Sequence, residues 1–181
     1  MIVLLVLLQY FSITSAELNQ AERVARRVFP STTHIARLPF DLRRRDNDSL
    51  RLLVKHVSLP DTLVLLCVYD NHDVLGYAVA ANVKGKDQPI TFCVVVDEAL
   101  RITDMDILTY REPYGGEVRQ ASWLKQFFGK SPEDPLRAGR EIRNITGATI
   151  SVRSVTQGVK DLLAILRALS PCLPHTSEVA R

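Results

Sequence analysis

The fold is decided by residues 62–110, which read TLVLLCVYDNHDVLGYAVAANVKGKDQPITFCVVVDEALRITDMDILTY. Four runs rich in β-branched and aromatic residues are separated here by short polar links, which is the pattern of consecutive strands. The runs cover residues 63–69, 74–83, 90–96 and 102–110. The first link, residues 70–73, has the composition of a turn, so we expect a hairpin there. Four neighbouring strands with short links predict an antiparallel sheet.

Amphipathic helices are predicted on both sides of this sheet. Residues 17–29 and residues 152–169 place apolar side chains at three- and four-residue steps, and each pattern ends close to a proline. Asp48 or Ser49 is expected to cap a further short helix. A chain of 181 residues that is 46% hydrophobic suits one domain. The sequence therefore predicts a single α+β domain, with a central antiparallel sheet and helices at both ends packed around it.

The charge and cysteine content exclude several classes of function. The 23 basic and 20 acidic residues leave a net charge of +3, which is not a field of one sign over many phosphates, so we expect no nucleic-acid partner. Cys67 and Cys93 lie in apolar runs, where cysteine behaves as a small buried side chain, although a disulfide between them is an open alternative. No cysteine or histidine spacing is typical of a metal site, and we identify no catalytic acid, nucleophile or triad.

The first sixteen residues differ in character from the rest of the chain. Residues 1–11 are almost wholly apolar, and Thr14, Ser15 and Ala16 place small side chains before Glu17. This pattern is typical of a signal peptide at residues 1–16, cleaved after Ala16. An uncleaved anchor is the alternative, although the apolar run is shorter than the roughly 20 residues that span a bilayer. We expect a periplasmic protein, or one at the extracytoplasmic face of the inner membrane.

The segment before the last helix has a composition suited to an anion. It reads Ile-Thr-Gly-Ala-Thr-Ile-Ser over residues 145–151. A helix N-terminus presents unpaired backbone N–H groups and the positive end of the helix dipole, and both favour a phosphate. Gly147 and Ala148 leave room for a close approach, while Thr146 and Thr149 supply hydroxyls. These residue types are also ordinary helix caps, so the segment alone leaves both interpretations open.

Three stretches in the second half of the chain form a recognisable set. They read Thr-Gly-Ala-Thr-Ile-Ser at 146–151, Glu-Pro-Tyr-Gly-Gly-Glu at 112–117 and Trp-Leu-Lys-Gln-Phe-Phe-Gly-Lys at 123–130. They resemble the flavinylation motif, the Glu-Thr-Pro-Gly-Leu-Gly loop and the Trp-Leu-x-Gln-Phe-x-Gly-Lys segment of the FMN-binding domain family. That family occurs in the flavin subunits of the sodium-pumping NADH:quinone oxidoreductase and of the Rnf electron-transport complex.

The resemblance implies a cofactor and the residues that hold it. In the family, the last Thr of the motif is esterified to the FMN phosphate, which places covalent FMN on Thr149. Glu112 is expected to accept a hydrogen bond from the flavin ring or the ribitol chain, or else to be a solvated carboxylate. Trp123 is expected to shield one face of the ring, or else to belong to the core. The other residues implied in cofactor binding are Thr146, Gly147, Ala148, Ile150, Ser151, Tyr114, Gly115, Gly116 and Leu124.

The resemblance also implies a function, with the chemistry supplied by FMN and the attachment and tuning by the protein. The chain would then comprise an N-terminal helical region at 17–61, the FMN-binding domain at 62–170 and a flexible tail at 171–181. It would be an electron-transfer flavoprotein or a component of an oxidoreductase system. Its partners would be membrane redox proteins, such as a quinone-linked oxidoreductase or a cytochrome, together with a flavin transferase for maturation.

Two alternatives stay open. One is a binding or sensory module that keeps this fold without a cofactor. It is favoured by Arg143, which stands where many family members carry Asp six residues before the modified Thr. The other is FMN held without a covalent bond.

Overall fold

An antiparallel sheet forms the centre of the molecule. The computed structural model describes residues 12–41, 55–58 and 62–176. The elements, in chain order, are helix α1 (Ser15–Val28), strands β1 (His34–Asp41), β2 (Val57–Ser58), β3 (Thr62–Asp70), β4 (Asp73–Lys84), β5 (Pro89–Asp97) and β6 (Ile102–Thr109), helix α2 (Ala121–Leu124) and helix α3 (Thr149–Leu169). Short 3-10 helices lie at Gly116–Arg119, Lys125–Phe127 and Ser170–Cys172.

The strand order is β1-β3-β4-β5-β6, with β2 paired to the far end of β4. The predicted hairpin is confirmed: β3 and β4 pair from Leu65↔Val79 to Asp70↔Asp73, around a two-residue turn whose first residue, Asn71, has φ 53. Asn tolerates this left-handed conformation better than most residues, which suits it to the turn. The four strands expected from the sequence are therefore present and antiparallel.

The two long helices cover opposite faces of the sheet. On one face, Ala21, Val24 and Ala25 of α1 form a core with small sheet residues such as Ala78. On the other face, α3 packs closely enough that a Cβ built on Gly158 would lie 2.4 Å from Val83 Cγ1. The predicted α+β fold with helices at both ends of the chain is thus confirmed.

The N-terminus of α1 is fastened by reciprocal hydrogen bonds. The Glu17 backbone N–H donates to Thr14 Oγ1 at 3.2 Å, and the Thr14 backbone N–H donates to Glu17 Oε2 at 2.9 Å, which is a capping box. Thr109 Oγ1 donates to Glu17 Oε1 at 2.8 Å and ties the helix to β6. A cut after Ala16, as the sequence suggests, would remove Thr14 and its half of the box.

The region 17–61, predicted to be helical, differs from that prediction. Its first part is α1, but His34–Asp41 forms β1, which pairs with β3 along its whole length. The run contains Pro39, which argues against a strand in the interior of a sheet, but β1 lies at the edge, where proline is tolerated. The short helix predicted to begin at Asp48 or Ser49 and to run through Val57 lies mostly outside the described residues, but Val57–Ser58 forms strand β2 instead of its end.

The segment after α3, predicted to be a flexible tail, packs against the domain as far as the structure describes it, to Thr176. Leu173 is buried, and Tyr77 Oη donates to the backbone oxygen of Pro174 at 2.6 Å. Thr176 Oγ1 donates to Glu98 Oε1 at 2.8 Å. Residues 177–181 lie outside the described part of the chain.

A buried carboxylate on α3 holds the segment that enters β2. Asp161 Oδ2 accepts hydrogen bonds from the backbone N–H groups of Lys55, His56 and Val57 at 3.0, 2.6 and 3.1 Å. A carboxylate that accepts several backbone amides orders the chain around it, since each such bond is charge-assisted. Asp161 therefore joins the segment that enters β2 to the last helix.

Cys67 and Cys93 are buried free thiols, so the disulfide alternative is wrong. Among the helices in the three described ranges, none combines the length and apolar character needed to cross a membrane.

Candidate functional site

The turn that begins α3 leaves backbone donors unused. Ala148 N–H donates to the Ile145 oxygen at 3.0 Å, and the first helical bond runs from Val152 N–H to the Ala148 oxygen at 2.9 Å. Gly147 takes φ +83, which lets the chain turn sharply into the helix. Ala148 is the N-cap and offers no side-chain cap, so no described side chain satisfies the amides of residues 149–151. These amides point out of the helix end, where an anion is favoured.

The Thr149 side chain is accessible. Thr146, Gly147 and Thr149 are exposed, and Ile150 is 49% exposed, whereas Ala148 and Ser151 are buried beneath them. The hydroxyl that the sequence singles out therefore faces solvent at the uncapped end of a helix of 21 residues.

The charges around this turn are of both signs. Arg143 and Arg153 are exposed, and the first turn of α3, which lies wholly within the described residues, has no acidic side chain. Glu141, eight residues before Thr149, is paired with Arg137, whose hydrogen bonds lower the pKa of Glu141 to about 2. Burial raises the pKa of Tyr110, whose hydroxyl contacts Ser151, and Glu112 and Glu117 lie close enough to raise it further. The first turn of α3 therefore has basic neighbours on the helix and carboxylates on the side of the loop at residues 112–116.

The glycine-containing loop at residues 112–116 is pinned at its start by Glu112. Its Oε1 accepts from the backbone N–H groups of Asp87 and Gln88 at 2.8 and 3.0 Å, so the carboxylate that the resemblance assigned to the cofactor is engaged with the β4–β5 turn. Burial raises the pKa of Glu112, but these hydrogen bonds outweigh it and the net pKa is lowered. A Cβ on Gly85 would lie 2.2 Å from the same Oε1.

The end of this loop rests directly on the threonine turn. Gly115 is buried with φ +85, and a Cβ built there would lie 3.0 Å from Ala148 Cβ and 2.7 Å from Tyr110 Oη. Tyr114 beside it is 80% exposed, and a Cβ on Gly116 would meet none of the described atoms within 4 Å. The loop therefore brings an exposed aromatic ring and open backbone close to the start of α3.

The aromatic segment, residues 123–128, packs against the chain that leads into the turn at residues 146–149. Trp123 and Leu124 are buried, with 4% and 6% of their surface exposed, and the Trp123 ring meets Phe127 edge-on with centroids 5.2 Å apart. Trp123 Nε1 donates to the Arg143 backbone oxygen at 2.9 Å, and Gln126 Oε1 accepts from the Arg143 backbone N–H at 2.9 Å. Trp123 therefore packs in the core, which is one of the two roles expected for it from the sequence.

The structure thus brings two of the three motifs together at the surface and places the third beneath them. Residues 112–116 and 146–151 adjoin, whereas Trp123 and Leu124 are buried in the core, and Trp123 donates to the Arg143 backbone oxygen. Tyr110 and Gln126 were not predicted as site residues. Tyr110 appears in the sequence only as the end of a strand run, and nothing in that pattern reveals what its hydroxyl contacts.

Comparison with known proteins gives a family and a fold. Residues 85–164 match the model of the FMN-binding domain family. Comparison with curated proteins gives no match. Among solved structures, the fold is similar to that of NqrC from Shewanella oneidensis, with a TM-score of 0.62 and 16% sequence identity over 86% of this chain and 95% of that one. Residues 85–164 are thus similar to the FMN-binding domain family, and the three motifs at residues 112–117, 123–130 and 146–151 all lie within them.

Proposed function

We propose that this protein is an extracytoplasmic flavoprotein that carries FMN as a phosphoester on Thr149 and transfers electrons between redox partners. The observation that carries the proposal is the exposed Thr149 hydroxyl on an uncapped helix end, within the segment that matches the FMN-binding domain family. Bound FMN supplies reversible electron transfer, and the chain supplies attachment, orientation and the electrostatic surroundings.

The residues at this turn fit a phosphate group. The amides of residues 149–151 lack an intrahelical acceptor and lie at the positive end of the α3 dipole, so they stabilise the negative charge of an ester at Thr149. Arg153 lies one turn further along α3, on the same face as Thr149, and its guanidinium adds to this stabilisation. Gly147 leaves open space beside the hydroxyl, because a Cβ built there meets none of the described atoms within 4 Å.

The exposure of the site explains why a covalent bond is useful. Sites that hold a small molecule by contacts alone bury about 70–90% of its surface. Here Thr149, Ile150 and Tyr114 all face solvent, so the contacts are few. An ester bond keeps the cofactor on the protein in a compartment that holds no free FMN, and it leaves the ring reachable by a partner.

The partners follow from the same exposure. A ring held near Tyr114 and Ile150 is open to brief contact with a membrane redox protein, such as a quinone-linked oxidoreductase or a cytochrome. Maturation needs a flavin transferase. The apolar residues 1–11 support export, and with it a location in the periplasm or at the extracytoplasmic face of the inner membrane.

The test is intact-protein mass spectrometry after co-expression with a flavin transferase. The wild-type chain should gain one FMN-sized adduct, and Thr149→Ala should abolish it. Thr62→Ala is the control, because Thr62 is also exposed but lies outside the 146–151 motif, and its loss should leave the adduct in place. An adduct that persists in Thr149→Ala would refute the attachment site.

A variant at Arg143 distinguishes the electron carrier from the cofactor-free module. Trp123 and Gln126 hold the backbone at residue 143, and its side chain is exposed, so Arg143→Asp should change the surface charge without moving the turn. If only Arg143→Asp gains FMN, the wild-type chain is the cofactor-free module. Flavin that co-purifies but is lost on denaturation and filtration would indicate non-covalent binding instead.

A further inference from the structure

A tyrosine hydroxyl lies where the glycine loop meets the threonine turn. Tyr110 follows the last residue of β6, and its Oη lies 2.6 Å from the Tyr114 backbone oxygen and 3.0 Å from Ser151 Oγ. Tyr114 belongs to the loop at 112–116, and Ser151 to the first turn of α3. One side chain therefore contacts both parts of the site.

The proton on each hydroxyl can be assigned. The Tyr114 carbonyl can only accept, and tyrosine has a single hydroxyl proton, so Tyr110 donates to Tyr114. Ser151 must then donate to Tyr110 Oη, which has lone pairs left. The buried Ser151 hydroxyl is thus committed to Tyr110, and only its backbone N–H remains for a phosphate.

Side-chain hydrogen bonds hold the 112–116 loop at both of its ends. Glu112 ties its start to the β4–β5 turn, and Tyr110 ties its end to α3. Without the Tyr110 hydroxyl, the end of the loop would lose this hydrogen-bonded link to α3, although Gly115 would still pack closely beside Ala148. The exposed Tyr114 ring would then lose its fixed position relative to Thr149.

We propose that Tyr110 is a positioning residue that fastens the 112–116 loop to the first turn of α3 and so sets how the Tyr114 side of the site faces a flavin on Thr149. The part of this inference that concerns flavin rests on the proposed function. The fastening itself is a property of the chain and can be tested without a cofactor.

The main variant is Tyr110→Phe, which removes the hydroxyl and keeps the ring. Tyr77→Phe is the matched control, because Tyr77 Oη also donates to a backbone oxygen at 2.6 Å, that of Pro174. Pro174 lies beyond the C-terminal end of α3, a helix that extends about 30 Å from Thr149 to Leu169 at 1.5 Å per residue. Both variants lose one hydroxyl–carbonyl bond, but only Tyr110→Phe loses it at the site.

The first readout is chymotrypsin cleavage after the exposed Tyr114 in the flavin-free chain, followed by fragment masses. Loss of a hydrogen bond of about 0.5–1.5 kcal/mol should raise the open population, and the cleavage rate, by about 2–10-fold in Tyr110→Phe. Tyr77→Phe should leave this cleavage rate unchanged. Equal rates in the two variants would overturn the proposal.

The second readout is the visible circular dichroism and reduction potential of the flavinylated protein. Tyr110→Phe should change both while the adduct mass stays the same, Ser151→Ala should give a smaller change, and Tyr77→Phe none. Faster cleavage with an unaltered flavin signal would show that the loop does not set the ring environment, and would also overturn the proposal. If the wild-type chain takes up no flavin, the proposed function fails, and cleavage alone decides whether Tyr110 fastens the loop.

Discussion

Gly115→Ala tests whether the contact between the glycine loop and α3 stabilises the fold. Two costs add at this position. A left-handed φ of +85 costs a residue with a Cβ about 1–2 kcal/mol. The new methyl would also lie 2.7 Å from Tyr110 Oη and 3.0 Å from Ala148 Cβ, and relieving such overpacking costs about 1–3 kcal/mol. We expect a total loss of about 3 kcal/mol in the free energy of unfolding.

Two other glycines separate these costs. Gly147 has φ +83, but a Cβ there meets none of the described atoms within 4 Å, so Gly147→Ala should cost the strain alone, about 1–2 kcal/mol. Gly116 has the same open space and no left-handed φ, so Gly116→Ala should stay within about 0.5 kcal/mol of the wild type.

The assay is thermal unfolding of the flavin-free chain, followed by circular dichroism. For a domain of this size, about 1 kcal/mol shifts Tm by about 2–4 °C, so Gly115→Ala should lower Tm by about 6–12 °C and Gly147→Ala by about 2–8 °C. Equal shifts for the two variants would refute the reasoning, because the contact with Tyr110 and Ala148 would then contribute nothing beyond the backbone strain.

Three further predictions concern the scaffold. Asp161→Ala removes the acceptor of three backbone amides and should cost about 2 kcal/mol in urea unfolding, with a smaller loss for Asp161→Asn, which keeps one acceptor oxygen. In the uncleaved chain, which keeps Thr14, burial raises the pKa of Glu17, but hydrogen bonds from Thr14 and Thr109 lower it by more, so its net pKa in the folded state lies below the ordinary 4.5. The ionised carboxylate therefore stabilises the fold above the unfolded-state pKa, and this contribution is lost as the pH falls through the folded-state pKa. Glu17→Gln should therefore make the free energy of unfolding fall less steeply as the pH is lowered. An unchanged dependence of that free energy on pH would contradict this. In the native state, a thiol reagent should label the exposed Cys172 and spare Cys67, whose pKa burial raises to about 12, and Cys93; rapid labelling of all three before unfolding would be inconsistent with the structure.

The parts of the fold that follow from local pattern were predictable from the sequence. Strands β3 to β6 are runs of apolar and β-branched residues, and α3 repeats its apolar residues at helical spacing. Strand β1 was missed because Pro39 weakens its pattern, and only its place at the edge of the sheet makes proline acceptable. That place depends on pairing with β3, which local pattern does not encode.

The site divides in the same way. The Thr149 turn was predictable because a glycine, small side chains and hydroxyls before a helix indicate an anion site. The role of Tyr110 was not, since its partner Ser151 lies 41 residues further along the chain. Whether Trp123 faces a cofactor or the core depends on packing beneath residue 143, which composition does not reveal.

The close packing of Gly85 against the Glu112 carboxylate limits how this site can be moved into another protein. A Cβ at residue 85 would lie 2.2 Å from both the Gln88 backbone oxygen and Glu112 Oε1, so the glycine is needed wherever this turn and its carboxylate are kept. A graft that carries the threonine turn and the glycine loop alone would leave Glu112 without the amides it accepts from. The smallest transplantable unit therefore begins at the β4–β5 turn and extends through the first turn of α3.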